Sequence, residues 1–145
     1  MIQNRFTFVP AVHLLLIRGE EVLLLRRYQT GYEDGNYSLI AGHMDGQEPA
    51  KSAMIREAKE EAGITLLPND LECVHVMHRS TDQERIDFFF TATKWSGEVT
   101  NTEPEKCDEL RWTSLNHLPE NTIPYIQTAI EAYLNGIFYS EFGWV

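Results

Sequence analysis

From Val9 to Ile17 the chain is almost continuously apolar, breaks at Arg18-Gly19-Glu20, and resumes through Val22-Leu23-Leu24-Leu25. Two short apolar runs around a Gly-containing turn predict a β-hairpin buried on both faces. Gly31 to Asn36 reads as a loop, Tyr37 to Ala41 as a short strand, and Gly42 to Gln47 as another loop, with its two glycines and an Asp. Pro49 to Ala62 predicts a helix, with Pro49 at its first position and Gly63 just past its end. Leu71–Arg79 and Ile86–Thr93 read as strands joined by the polar Ser80–Arg85, and Glu109–Trp112 alternates like one more. Glu98 to Asp108 is polar and irregular. Ile123, Ile126, Ile130, Tyr133, Leu134 and Ile137 recur at helical spacing and stop at Asn135-Gly136. Strands with two helices and no linker, repeat or low-complexity tract predict one mixed α/β sandwich domain over residues 1–145.

Composition narrows this only modestly. At 145 residues and 43% hydrophobic, the chain has the length and apolar content of one globular domain. Its formal net charge of −10 argues against coating long nucleic acid, which needs a positive field, but leaves phosphate-bearing small molecules open because metal ions bridge two anions. Cys73 and Cys107 are too few for a disulfide framework or a Cys-based zinc site and read as packing residues. The first residues, Met1 to Phe6, lack the apolar core of a signal peptide, and no apolar run reaches the roughly 18 residues of a membrane span. The expectation is a cytoplasmic protein without a membrane partner.

The chemistry is concentrated on the first predicted helix. At about 100° per residue, Glu57 and Glu61 lie one turn apart and Glu60 sits to one side. These carboxylates repel one another and lie near the helix C-terminus, where the macrodipole disfavours anions. An exposed acidic face is the simplest account of such a cluster. However, Ala50 and Ala53 share the carboxylate arc, with Met54, Ala58 and Ala62 beside it, whereas Ser52, Arg56 and Lys59 occupy the opposite arc. Carboxylates at a buried border need cations, and three together suit Mg²⁺ or Mn²⁺. Arg56 is placed to brace Glu57 through a forked hydrogen bond.

The pattern Gly42, five residues, Glu48, seven residues, Arg56-Glu57-Ala58-x-Glu60-Glu61-x-Gly63-Ile64 resembles the Nudix box, with seven fixed residue types in register. The flanking hairpin, the strand before the box and the final helix also resemble the family order. One departure is Ala41, where the family often has a second Gly. Ala still offers its carbonyl, so the change touches local backbone freedom alone. The resemblance implies an α/β/α sandwich with a mixed central sheet. It also implies Mg²⁺-dependent hydrolysis (Mn²⁺ as substitute) of a nucleoside diphosphate linked to a group X, by water attack on a pyrophosphate phosphorus. By similarity, Glu57, Glu60 and Glu61 match metal-ligand positions and the Ala41 carbonyl adds a ligand. Glu48 supports the loop or a metal-bound water, Arg56 braces, and either Glu60 or Glu61 is the general base. Many family members supply a further carboxylate from the irregular stretch before the late strand; Glu105 is the expected one here, with Glu103 next.

X is not written in the box. The working substrate is a small nucleotide, a nucleoside triphosphate first and an ADP-ribose or ADP-sugar compound as alternative. A catalytically silent nucleotide-binding module of the same fold is the rival from another class, and an isomerase of that fold would need acid and base residues not identifiable here. Arg26 and Arg27 end a strand whose alternation sends one inward, where it could meet phosphate; His43, inside the box loop, is a further candidate for substrate contact. Tyr32, Tyr37, Phe88 and Phe90 read as core aromatics before base-stacking ones. His75 and His78 fall on opposite strand faces and make no zinc pair. The aromatic tail, Phe138 to Val145, is expected either to dock on the core or to lie in a homodimer contact.

Overall fold

A computed structural model describes residues 4–145; the leader reading of Met1 to Gln3 lies outside them. Strands β1 (Val9–Arg18) and β2 (Glu21–Arg27) form the expected hairpin, but they pair only at Ile17–Val22 and Arg18–Glu21. Beyond that point the two strands part into different neighbourhoods. β1 runs antiparallel to β4 (Ile40–His43) and parallel to β6 (Glu84–Ala92), while β2 pairs with β3 (Tyr37–Ser38) and β7 (Cys107–Ser114). The run read as one strand, Tyr37 to Ala41, is thus two strands that change partners at Leu39. Period-2 patterning cannot show such a crossing, because both halves are buried. β5 (Glu72–Ser80) pairs antiparallel with β6, and the aromatic tail supplies β8 (Tyr139–Phe142), parallel to β5 at the sheet edge. The tail is therefore tied down, and Trp144 Nε1 donates to the His78 carbonyl at 3.0 Å.

Two apolar layers lie on the two faces of this mixed sheet. Helix α1 (Ala50–Ala62) buries Ala53, Met54, Ala58 and Ala62 against Val12, Leu14, Leu16 and Ile40. Helix α2 (Pro124–Leu134) buries Ile126, Ala129 and Ile130 against Leu15, Leu24, Met77 and Phe89. β1 serves both layers by alternation, which explains its unbroken apolar run. Pro49 caps α1 from just outside the helix, one position earlier than its expected place, and Gly63 ends it at φ 70°, a left-handed turn with its N–H on the Lys59 carbonyl at 3.1 Å. The architecture is the α/β/α sandwich with a mixed sheet. Among the described residues, no helix is long and apolar enough to cross a membrane.

Candidate active site

α1 lies across β4, and their contact brings the carboxylates against the strand. Gly42 has no side chain because Glu57 occupies the space: a Cβ there would lie 2.1 Å from Glu57 Cδ. Glu57 is 9% exposed. Glu61, also turned inward, accepts the Ala41 N–H at 3.1 Å, and Glu60 faces solvent. Burial drives the Glu57 carboxyl upward, against the pull of Arg56, and pushes Glu61 up to about 8. Arg56 does not face away as its helical position implied. It is half-buried, and its long stem returns the guanidinium to Glu57 Oε2 at 2.6 Å, Glu48 Oε2 at 2.9 Å and the His43 carbonyl at 3.3 Å. Glu48 also accepts the Asp45 N–H at 2.8 Å, and its bonds to Arg56 and Asp45 hold its carboxyl below the usual range. Glu48 and Arg56 thereby tie the loop after β4 to the helix.

A cavity of about 530 Å³ opens over this contact, with Glu57, Glu60, Glu61, Asp45 and Glu103 in its wall. The expected carboxylate Glu105 is exposed and outside that wall. Glu103 replaces it because the segment after Gly97 is built around the end of α1. Thr100 N–H donates to the Ala62 carbonyl at 2.9 Å, and the Thr102 hydroxyl donates to the Glu60 carbonyl. These bonds satisfy carbonyls that a helix end leaves free. Asn101 Oδ1 then accepts the Glu103 N–H at 3.1 Å, setting the turn that aims Glu103 back at the carboxylates. The local signal was Asn101 two residues before Glu103, followed by Pro104.

Arg26 and Arg27 both line this cavity, since a bulge between them breaks the alternation. Arg26 is committed to Asp108, Nε to Oδ1 at 2.7 Å and Nη2 to Oδ2 at 3.2 Å. Arg27 instead donates to the Tyr32 carbonyl at 2.7 Å and Thr30 Oγ1 at 3.1 Å, and makes no ion pair among the described residues. A second cavity, about 550 Å³, shares Arg27, Ala41, Gly42 and His43 with the first and extends between β5, β6 and the start of α2. Tyr32 stands at its rim, while Tyr37, Phe89 and Phe90 are buried in the core.

The donor set fits a hard divalent cation. All of its side-chain ligand atoms are carboxylate oxygens, Glu57 is buried and Glu61 half-buried, and among the described residues the one hydrogen bond to Glu61 comes from the Ala41 N–H. Among the described residues, no three His, Cys, Asp or Glu side chains stand closely enough together to grip an ion as they are, and Arg56 holds Glu57 and Glu48.

Comparison with known proteins identifies the family and supports the fold. The family model described as NUDIX domain matches residues 7–133. The NAD-capped RNA hydrolase NudC of Pseudomonas aeruginosa (strain LESB58) is 31% identical over 110 residues, covering 76% of this chain and 37% of its own. The chain thus spans well under half the length of the curated relatives it matches. A MutT NUDIX hydrolase from Burkholderia pseudomallei superposes with a TM-score of 0.79 at 26% identity, over 86% of this chain and 97% of that one. A MutT protein from Methanosarcina mazei Go1 superposes at 0.77 and 23% identity, over 92% and 97%.

Proposed function

The chain belongs to the NUDIX domain family, and from that premise we propose that it is a pyrophosphohydrolase cleaving a nucleoside diphosphate linked to X. The observation that carries the reading is an inward-turned carboxylate pair, buried Glu57 and half-buried Glu61, with Glu60 and Glu103 around one cavity and, among the described residues, no lysine or arginine salt-bridged to Glu61. A silent binding module gains nothing from crowding four carboxylates around one cavity.

Glu57, Glu60, Glu61, Glu103 and the Ala41 carbonyl would hold Mg²⁺, with Mn²⁺ as a substitute. When bound, the cation neutralises the pyrophosphate and lowers the pKa of its water. The chain's own residues do the rest. Arg56 and Glu48 clamp the loop after β4 onto α1, so the carbonyl of Ala41 and the carboxylates keep one spacing. Glu61, which faces the cavity and whose carboxylate accepts only the Ala41 N–H among the described residues, is the general base in this reading, ahead of Glu60, which stands in solvent. Arg27 retains donors for a substrate phosphate; Arg26, forked onto Asp108, shapes the wall. His43 lines both cavities and is the candidate contact for a substrate that spans them.

A nucleoside triphosphate is the first substrate to test. NAD-type dinucleotides are the second, favoured by relatives described as hydrolases of NAD-capped RNA; a capped RNA belongs in the same panel despite the acidic charge. The test is product release across that panel with Mg²⁺ and in excess chelator. Turnover of at least one member, abolished by chelator, is expected. Full turnover in chelator, or none of the panel bound or cleaved, would refute the reading.

A further inference from the structure

Past β4 the cleft changes chemical character. Arg79, 6% exposed, is forked onto the buried Asp87, Nε to Oδ2 at 2.7 Å and Nη2 to Oδ1 at 3.2 Å, and its Cζ lies 3.6 Å from the Tyr125 ring centroid. Buried ion pairs give up so much hydration that stability rarely explains them. Arg79 nevertheless lines the second cavity, together with Arg27 and Arg85. Arg85 spends its Nε on Thr81 Oγ1 at 3.0 Å, and its one ionic partner among the described residues, Asp82, sits 3.6 Å away and is 81% exposed. Such a partner screens little of its charge. Arg27 spends two N–H groups on neutral oxygens, leaving three of a guanidinium's five. His13, in the same wall, is kept neutral by burial, which holds it at about 4.

The aromatic rings of this cavity are already engaged. Tyr125 carries Arg79 on its face and His13 at 5.6 Å, and Tyr32 has Arg27 5.1 Å from its centroid. Alongside Ser38, Thr81, His43 and the solvent-facing Asp82, the wall offers a ligand guanidinium N–H groups, whose fork geometry matches phosphate oxygens. In a chain of formal net charge −10, a cationic pocket adjoining a carboxylate pocket is a local arrangement, not an average property.

We propose that this arginine cavity binds a phosphate monoester on one flank of the substrate, so that the preferred substrates carry a phosphate beyond the pyrophosphate itself. The inference rests on the carboxylate cavity being the place where the pyrophosphate is cleaved. A neutral nucleobase lying in the arginine cavity is the competing occupant.

The test uses ligand pairs differing by one phosphate: NAD⁺ with NADP⁺, and ADP-ribose with ADP-ribose 1″-phosphate. Calorimetric affinities are measured in excess chelator, and kcat/KM with Mg²⁺. In at least one pair the phosphorylated member should bind and react roughly tenfold or more better, the scale of a charge-assisted hydrogen bond. Arg85→Ala should bring that ratio close to one, and Arg85→Lys should keep part of it. Ratios near one in both pairs, or Arg85→Ala weakening both members equally, would overturn the proposal. If no member is hydrolysed but the metal-free preference persists and depends on Arg85, the hydrolysis reading fails and the anion cavity stands.

Discussion

The two halves of the cleft handle buried charge in opposite ways. Around Asp87 the charge is matched inside the protein: Arg79 forks onto it, and the pair is complete without any ligand. Around Glu61 it is left unmatched, with one backbone N–H where a cation would stabilise the carboxylate. A satisfied pair keeps a shape, whereas an unsatisfied carboxylate holds a place for something absent from the chain. The comparison also explains why Arg56 matters. It restrains Glu57 and Glu48 and leaves Glu61 to the cation.

The largest effect should come from the unmatched side. Glu61→Gln is expected to lower kcat by roughly a hundredfold to ten-thousandfold, the range of a lost general base, while circular dichroism stays native. If the metal-free variant melts well below the metal-free parent, Glu61 belongs with the matched charges and the contrast fails. On the matched side, Arg79→Met leaves Asp87 buried with only His13, 3.9 Å away, as a basic partner among the described residues, and denaturant unfolding should show a loss of about 3–5 kcal/mol. A loss under about 1 kcal/mol would mean that the pair is not structural. Gly42→Ala tests the contact that joins the two halves. Its Cβ would meet the Glu57 carboxyl at 2.1 Å, so Glu57 must move, at a cost of about 1–3 kcal/mol and with a loss of Mg²⁺ affinity read by titration. The smallest effect separates neighbours: Glu103→Gln should raise the Mg²⁺ concentration for half-maximal rate several-fold, and Glu105→Gln should leave it unchanged. The reverse result would restore Glu105.

This same contrast separates what could be read from residues alone. The carboxylate half is one contiguous stretch, Gly42 to Ile64, in which helical periodicity, the small residues Ala53 and Ala58, and the terminal Gly63 all point one way. The arginine half is assembled from β1, β2, β5, β6 and α2, so no spacing along the chain announces it. Asp87 inside the apolar run Ile86–Thr93 was the one local hint, since a carboxylate there needs a partner. The sequence ranks Glu105 ahead of Glu103 because the backbone carbonyls of Glu60 and Ala62, which determine where that segment docks, carry no residue signature. Arg56 does meet Glu57, as its neighbouring position implies, although the helical wheel sets it on the opposite arc, because a wheel locates Cα atoms and a long stem reaches back around them.

The central claim is that Glu61 is an unmatched carboxylate awaiting a cation, and its stability linkage tests this most directly. Its folded pKa stands at about 8, against an ordinary 4.5. The folded protein therefore holds a proton that the unfolded chain releases between those values, so Glu61's contribution to stability is full below pH 4.5 and is lost as pH rises through 8. Urea unfolding in chelator, repeated across this window with parent and Glu61→Gln, should show the parent falling relative to the variant as pH rises. Added Mg²⁺ should restore the parent at pH 8 and do little for the variant. A parent and variant that track each other across the window, with no selective rescue by Mg²⁺, would contradict the claim.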